Sequence, residues 1–349
     1  MTLPSSEGQN TSGHLPAQAH REERPLASRA ARFTECASSA WGDLHVTRAA
    51  DTLLAVSCGE TVLTEPTPPQ PCALAKRLGA ADLCGYVRKK VRRWGMFTPG
   101  RRLIHHGTWV PFGASEMMMR AISGNVVDAA VVACDGVGTL AAFLPALVQG
   151  VGARMNGLFH TTAYPELVGR AEELGGLVPG GISGEIDPAA GLVAAAEAGA
   201  RRIAVTVAGY RCGRIPEVRA AASDARVEVV VLSVCNTGLS GGESMEAAKA
   251  DIVWGCAAER GLTAALRGSV MMQVGLLSPV WVLTRAGARL FAASVAGAEA
   301  LAPDGRTLVG TERELPSGEP AGYVGPVRIR VRTGADLPAT TEEGCCVEF

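Results

Sequence analysis

Short apolar runs alternate with segments of helical periodicity along most of the chain, and that alternation sets the expected architecture. Val126–Ala133, Arg202–Val207, Glu228–Val234 and Asp251–Gly255 are stretches of strand length rich in Val, Ile and Ala. Val270–Val274 and Val280–Leu283 are further strand candidates. Ser115–Ile122, Leu140–Gly150, Pro165–Leu174, Pro188–Ala198, Gly242–Ala250 and Arg285–Ala293 have helical patterning; Pro165 and Pro188 stand at first turns and Gly199 acts as a stop. Near-continuous apolar strands between helices predict an α/β domain: a mostly parallel sheet with helices on both faces.

The flanks are patterned differently. His45–Thr47, Leu53–Val56 and Thr61–Leu63 are short β-like runs, with Cys58-Gly59-Glu60 as a hairpin turn between the last two. Glu65-Pro66-Thr67-Pro68-Pro69-Gln70-Pro71 is a stiff connector. Residues 82–95 suggest a helix with Val87, Val91 and Trp94 packed and Lys89, Lys90, Arg92 and Arg93 solvated. The expected organisation is a disordered leader over 1–30, a β-rich N-terminal element and connector over 31–71, an α/β core over 72–301, and a peripheral segment over 302–349 around one strand, Val327–Val331.

Composition narrows the function classes. With 33 Lys+Arg against 34 Asp+Glu, the formal charge of -1 gives no pull toward nucleic acid or an anionic membrane. A hydrophobic fraction of 47% supports a packed core. No run approaches the roughly 18 apolar residues of a spanning helix, and residues 1–28 lack the apolar stretch of a signal peptide. The expected setting is cytoplasmic, with a small-molecule substrate, no nucleic acid and no membrane. The apolar face of residues 140–153 could serve a dimer, which leaves a homo-oligomer open.

The ten cysteines carry the candidate chemistry. In a reducing compartment they are expected to be buried, catalytic or metal-binding. Cys134, Cys235 and Cys256 each follow an expected strand, and Cys212 lies five residues past Val207. In a parallel sheet the carboxyl ends of the strands share one edge, where ligands bind. Thiols there could hold an iron–sulfur cluster or another thiophilic metal. One of them, Cys134 first, could instead be a nucleophile. A third class is a non-catalytic accessory protein for metallocofactor assembly. Buried small hydrophobes are the bland alternative for each thiol. After Cys134, Asp135-Gly136-Val137-Gly138-Thr139 is expected to lead into a helix, with the backbone N–H groups of Gly136, Gly138 and Thr139 facing a thiolate or anion. Arg154, in Gly150-Val151-Gly152-Ala153-Arg154, could supply a charge, and His160 is a candidate acid or base. Ser115 is a candidate cap before Glu116.

Trp94-Gly95-Met96-Phe97-Thr98-Pro99, Phe112-Gly113-Ala114-Ser115-Glu116, Val132-Ala133-Cys134-Asp135-Gly136-Val137-Gly138-Thr139, Leu147-Val148-Gln149-Gly150-Val151-Gly152-Ala153-Arg154, Ile203-Ala204-Val205-Thr206-Val207 and Asn236-Thr237-Gly238 stand in order over about residues 72–293. Together they resemble the methanogenesis marker protein 8 family. The Ala/Arg-rich composition and polar leader look more bacterial than methanogen-like. The resemblance implies a role for Cys72, Cys134 and Cys256, with Cys235 standing where the family commonly has His. The resulting expectation is an enzyme of sulfur, cofactor or natural-product biosynthesis. Its metal would be held by Cys72, Cys134 and Cys256, with Cys235 as a further donor. Cys134, Asp135 and Thr139 would act in catalysis, and Gly136, Gly138, Arg154, Asn236 and Thr237 would contact substrate.

Overall fold

A computed structural model describes residues 92–96, 98–107, 112–152, 163–236, 239–255, 260–274, 279–296 and 338, and the backbone of strands within 34–66 and 321–332. Four strands, β1 (Thr34–Glu35), β2 (His45–Arg48), β3 (Thr52–Ser57) and β4 (Glu60–Pro66), form an antiparallel meander. The turn between Ser57 and Glu60 falls where the sequence placed it. The leader, the body of the 82–95 segment and Cys72 lie outside the described residues.

The core is a nine-stranded sheet in the order β12-β13-β10-β11-β9-β8-β7-β5-β6. Its centre is four parallel strands: β5 (Ala129–Cys134), β7 (Arg202–Ala208), β8 (Glu228–Val234) and β9 (Ile252–Trp254). The flanks are antiparallel: β6 (Gly138–Ala142) on β5, and β11 (Val280–Val282) on β9, followed by β10 (Met272–Val274). β12 (Ala321–Val324) and β13 (Val327–Arg332) form a hairpin that continues the sheet through β10. The carboxy-terminal segment therefore contributes two strands where one was expected.

Helices cover both faces, as the apolar strands require. On one side α1 (Ala114–Ser123), α2 (Pro145–Gly152), α3 (Pro165–Glu173) and α8 (Arg285–Ala296) pack a layer that includes Met117, Val132, Leu147, Leu167 and Leu290. On the other, α4 (Pro188–Glu197), α5 (Ile215–Asp224), α6 (Gly241–Ala247) and α7 (Arg260–Leu266) bury Leu192, Val205, Val218, Val231 and Trp281. Local chemistry sets the helix starts. Asp187 caps α4 by accepting from the N–H groups of Ala189 and Ala190, and Ser240 with Glu243 forms a capping box on α6. α1 starts after Gly113, which takes the cap position expected for Ser115. Among the described residues no helix is long and apolar enough to cross a membrane.

The main departure lies after Cys134. Leu140–Gly150 was expected to be one helix, yet its first residues are strand. β5 turns through Asp135-Gly136-Val137 into β6, pairing Cys134 with Gly138 and Val132 with Leu140. Asp-Gly between two Val/Ala runs is a hairpin signal, and Gly136 and Gly138 supply φ values of 72° and 90° that L side chains avoid. The outer edge of β6 is covered: Ala141 and Leu177 exchange backbone hydrogen bonds, and the Thr139 N–H donates to the Glu185 carbonyl.

Candidate functional site at the carboxyl edge of the parallel strands

The residues expected to do chemistry around Cys134 are sealed into the hairpin. Asp135 and Arg101 form an ion pair, Nε to Oδ1 2.9 Å, with both side chains at 0% exposure. The other guanidinium nitrogens of Arg101 donate to the Arg102 and Val151 carbonyls. Cys134 is buried in the layer against α1, α2 and α3, and its Sγ donates to the Asp135 carbonyl at 3.4 Å. Burial first, and then the Asp135 carboxylate, push its thiol far up, while Arg101 opposes them; the neutral thiol is the resting form. Thr139 Oγ1 donates to the Glu185 carbonyl and accepts from the Asp187 N–H, which ties the hairpin to the start of α4. A Cβ on Gly136 would sit 2.7 Å from the Tyr164 ring, and one on Gly138 would sit 2.6 Å from the backbone of Gly184 and Glu185. These glycines allow close packing. They do not open a helix N-terminus to a ligand, because the turn leads into a strand.

The neighbouring parallel strands carry a different set. After β7 the chain enters a 3-10 turn, Gly209–Arg214, that leads into α5. Cys212 in this turn is buried in the opposite apolar layer, 3.2 Å from Ser233 Oγ on β8. Burial pushes its thiol up to about 12, against the opposing effect of its hydrogen bond with Ser233. Ser233 Oγ donates to Asn236 Oδ1, and Asn236 Nδ2 donates to the carbonyls of Ser233 and Trp254. Buried Asn236, expected to touch substrate, thus ties the end of β8 to the end of β9.

Cys235, the first residue past β8, has φ 57°. A left-handed backbone is costly for a residue other than Gly or Asn and clusters at functional sites. Cys235 is half-buried and packs in a small cluster with Ala133 of β5, Ala208 of β7 and Ile186. All three described thiols stand at or just past strand ends, but Cys134 and Cys212 are closed inside the two main layers, whereas Cys235 is only half-buried. The 3-10 turn meets it there: a Cβ on Gly209 would lie 2.3 Å from Asn236 Oδ1 and 3.1 Å from the Cys235 carbonyl. From the same turn, half-buried Arg211 donates to the Ile186 carbonyl at 2.9 Å, and Arg214 binds Asp187 and Glu217.

The structure places Cys134 and Cys235 in different apolar clusters. Cys72, Cys256, Arg154, Thr237 and His160 lie outside the described residues. Among the described residues, no three His, Cys, Asp or Glu side chains gather closely enough to hold a metal ion. The sequence reading passed over Arg211 and Ile186. Gly209-Tyr210-Arg211-Cys212-Gly213-Arg214, a basic glycine-flanked segment directly after a parallel strand, was the available signal for Arg211. Ile186 had none, because its place depends on the Thr139–Asp187 contact.

These features define an α/β protein with a four-stranded parallel centre, whose carboxyl edge presents a strained cysteine beside an arginine-bearing turn. The chain belongs to the family described as "Uncharacterized protein conserved in archaea (DUF2099)", whose model matches residues 75–296. It is 30% identical over 201 residues to the uncharacterized protein MJ0054 of Methanocaldococcus jannaschii, an alignment covering 58% of this chain and 70% of that protein.

Proposed function

We propose that the protein is an enzyme acting on a small molecule at the carboxyl edge of β5, β7, β8 and β9, with the Cys235 sulfur as the reacting atom. The observation that carries this reading is the left-handed, half-buried Cys235 at the end of a central parallel strand. Its thiolate would attack an electrophilic carbon or sulfur of the substrate; the new bond to sulfur forms as the leaving group departs with its electron pair, and water or a second substrate releases the product. Cys134, the nucleophile expected from sequence, is buried and held neutral, and Asp135 is committed to Arg101. The finer relationship, to the methanogenesis marker protein 8 family, rests on the ordered motifs. With the thiol chemistry it favours sulfur or cofactor biosynthesis in the cytoplasm.

The test is depletion of small molecules from a cell extract, followed by mass spectrometry. Wild type and Cys134→Val are expected to consume at least one component that Cys235→Ser leaves untouched. Consumption by Cys235→Ser equal to wild type overturns the assignment.

A metal-dependent version is favoured by one observation: β8 and β9 are parallel neighbours, so the chain leaves adjacent strand ends into Cys235 and, two residues beyond Trp254, Cys256. Cys72 would be a further ligand. An iron–sulfur or other thiophilic centre of this kind predicts stoichiometric metal in protein purified without oxygen, lost together in Cys72→Ser, Cys235→Ser and Cys256→Ser. Protein reconstituted without oxygen that holds no metal rejects it.

A further inference from the structure

We propose that the junction between the start of α1 and the end of α2 binds an ammonium group, with the Gln149 side-chain carbonyl taking one N–H and Glu116 supplying the counter-charge. The reading does not depend on Cys235. Ser115, Glu116 and Gln149 are polar side chains buried beside the apolar layer of Met117, Leu147 and Val148. Gln149 Nε2 donates to Glu116 Oε1 and to the Gly107 carbonyl, both at 2.9 Å, and Ser115 Oγ donates to Glu116 Oε2. Two acceptors on Nε2 fix which end of the amide is nitrogen. The other end, Gln149 Oε1, is enclosed and has no hydrogen-bond partner. A buried acceptor without a donor is costly and rare in folded proteins, so this oxygen calls for an N–H or O–H group. Amide bond lengths place it within about 5 Å of a Glu116 oxygen. At that range a carboxylate favours a cationic donor over a neutral one. Glu116 is already bonded to Ser115 and Gln149, and its charge alone enters the inference. Arg120, one turn along α1, competes for that charge. It gives one nitrogen to the Ser294 carbonyl, and burial outweighs the pull of Glu116 and pushes its guanidinium down.

Two contacts put the junction where α/β sheets bind ligands. Trp254, the last residue of β9, donates from Nε1 to the Phe112 carbonyl just ahead of α1. Arg101 pairs with Asp135, just past β5, and donates to the Val151 carbonyl near the end of α2. The junction therefore lies at the carboxyl ends of β5 and β9, the edge outside which ligands sit. A Cβ on Gly152 would come 2.9 Å from Ser115 Cβ, so the helices meet closely there. Such enclosure suits a small head group, ammonium or methylammonium.

The test is the thermal unfolding midpoint of the full-length protein in ammonium chloride or methylammonium chloride. Sodium and potassium chloride at equal ionic strength are the references. A ligand that binds only the folded chain raises the midpoint once its concentration passes its dissociation constant. Ammonium or methylammonium is expected to do so beyond both metal ions, which carry no N–H. In Gln149→Met the concentration at which the rise sets in should increase about tenfold, the scale of one hydrogen bond to a charged group. Gln149→Glu keeps an oxygen at that position and adds a negative charge, so its rise should set in at a lower concentration than in wild type. That variant keeps the test available should the Met variant fail to fold. A rise with ammonium alone supports the site as one for the free ion, and a rise that includes methylammonium supports it as one for a molecule bearing a primary amine. A response no greater than that to sodium or potassium, or one unchanged in a folded Gln149 variant, overturns the proposal and leaves the thiol reading standing.

Discussion

Replacing Asp135 with Asn keeps the shape of the β5–β6 turn and removes one charge. Arg101 and Asp135 are both fully enclosed, and the two remaining guanidinium contacts are to neutral carbonyls. The variant therefore leaves an uncompensated guanidinium in the interior. Coulomb's law at an effective dielectric of about 20 gives about 4 kcal/mol for a pair at contact. Breaking one partner of a buried pair costs about 3–5 kcal/mol. Either figure is a large share of the roughly 5–15 kcal/mol that holds a domain folded. Urea titration followed by circular dichroism measures the loss as a lower midpoint at unchanged slope. Arg101→Met combined with Asp135→Leu should recover most of it, because no charge is then stranded. The variant also removes one of the causes that push Cys134 up, so its thiol should become more acidic while staying enclosed. A loss under about 1 kcal/mol for Asp135→Asn, or a double variant no better than the single one, would refute the structural role given to this pair.

Other expected outcomes follow from the same contacts. Thr139→Val removes the hydroxyl shared by the Glu185 carbonyl and the Asp187 N–H, and should lower stability by about 1–3 kcal/mol in urea, with Thr139→Ser close to wild type. Gly150→Ala would put a Cβ 2.0 Å from the Leu103 carbonyl oxygen, so α2 must shift from the 101–107 segment; the soluble yield or thermal midpoint should fall sharply, and normal stability would contradict the packing. Cys134 and Cys212 are both raised, so the fold holds their protons more tightly than the unfolded chain. Their contribution is complete below the unfolded thiol value of about 8.5 and is lost as pH rises toward the folded values, at about 1.4 kcal/mol per pH unit for each thiol. Cys212→Ala should flatten that alkaline loss. At the acid end, the hydrogen bond from Arg202 holds Asp128 below the usual carboxylate range. Its contribution is present above an unfolded value of about 3.9 and fades as pH falls through the folded one, so Asp128→Asn should remove part of the acid sensitivity.

The apolar runs made most of the architecture legible. β5, β7, β8 and β9 and the helices after Pro165 and Pro188 are local patterns, so they could be read directly. The antiparallel flanks could not, since strand direction in β11 and β13 depends on pairing partners distant in the chain. The Asp135–Thr139 segment failed for a different reason. Its glycines suit a ligand loop and a tight hairpin equally, and the choice was made by Leu177 and Glu185 covering β6. That choice moved Asp135, Gly136, Gly138 and Thr139 from expected chemistry to packing. Placement of cysteines at strand ends was legible. Which thiol is enclosed was not, because it depends on helices from both layers closing over Cys134 and Cys212.

The central claim is that Cys235 is the described thiol available for chemistry, while Cys134 is held inside the fold. Its most direct test is the rate of thiol–disulfide exchange with Ellman's reagent in native buffer, resolved by residue through peptide mass spectrometry. Cys235 should react in the folded protein, and Cys134 only at the rate of global unfolding, speeding up with urea in step with it. A Cys134 that reacts as fast as Cys235 in native buffer would contradict the account.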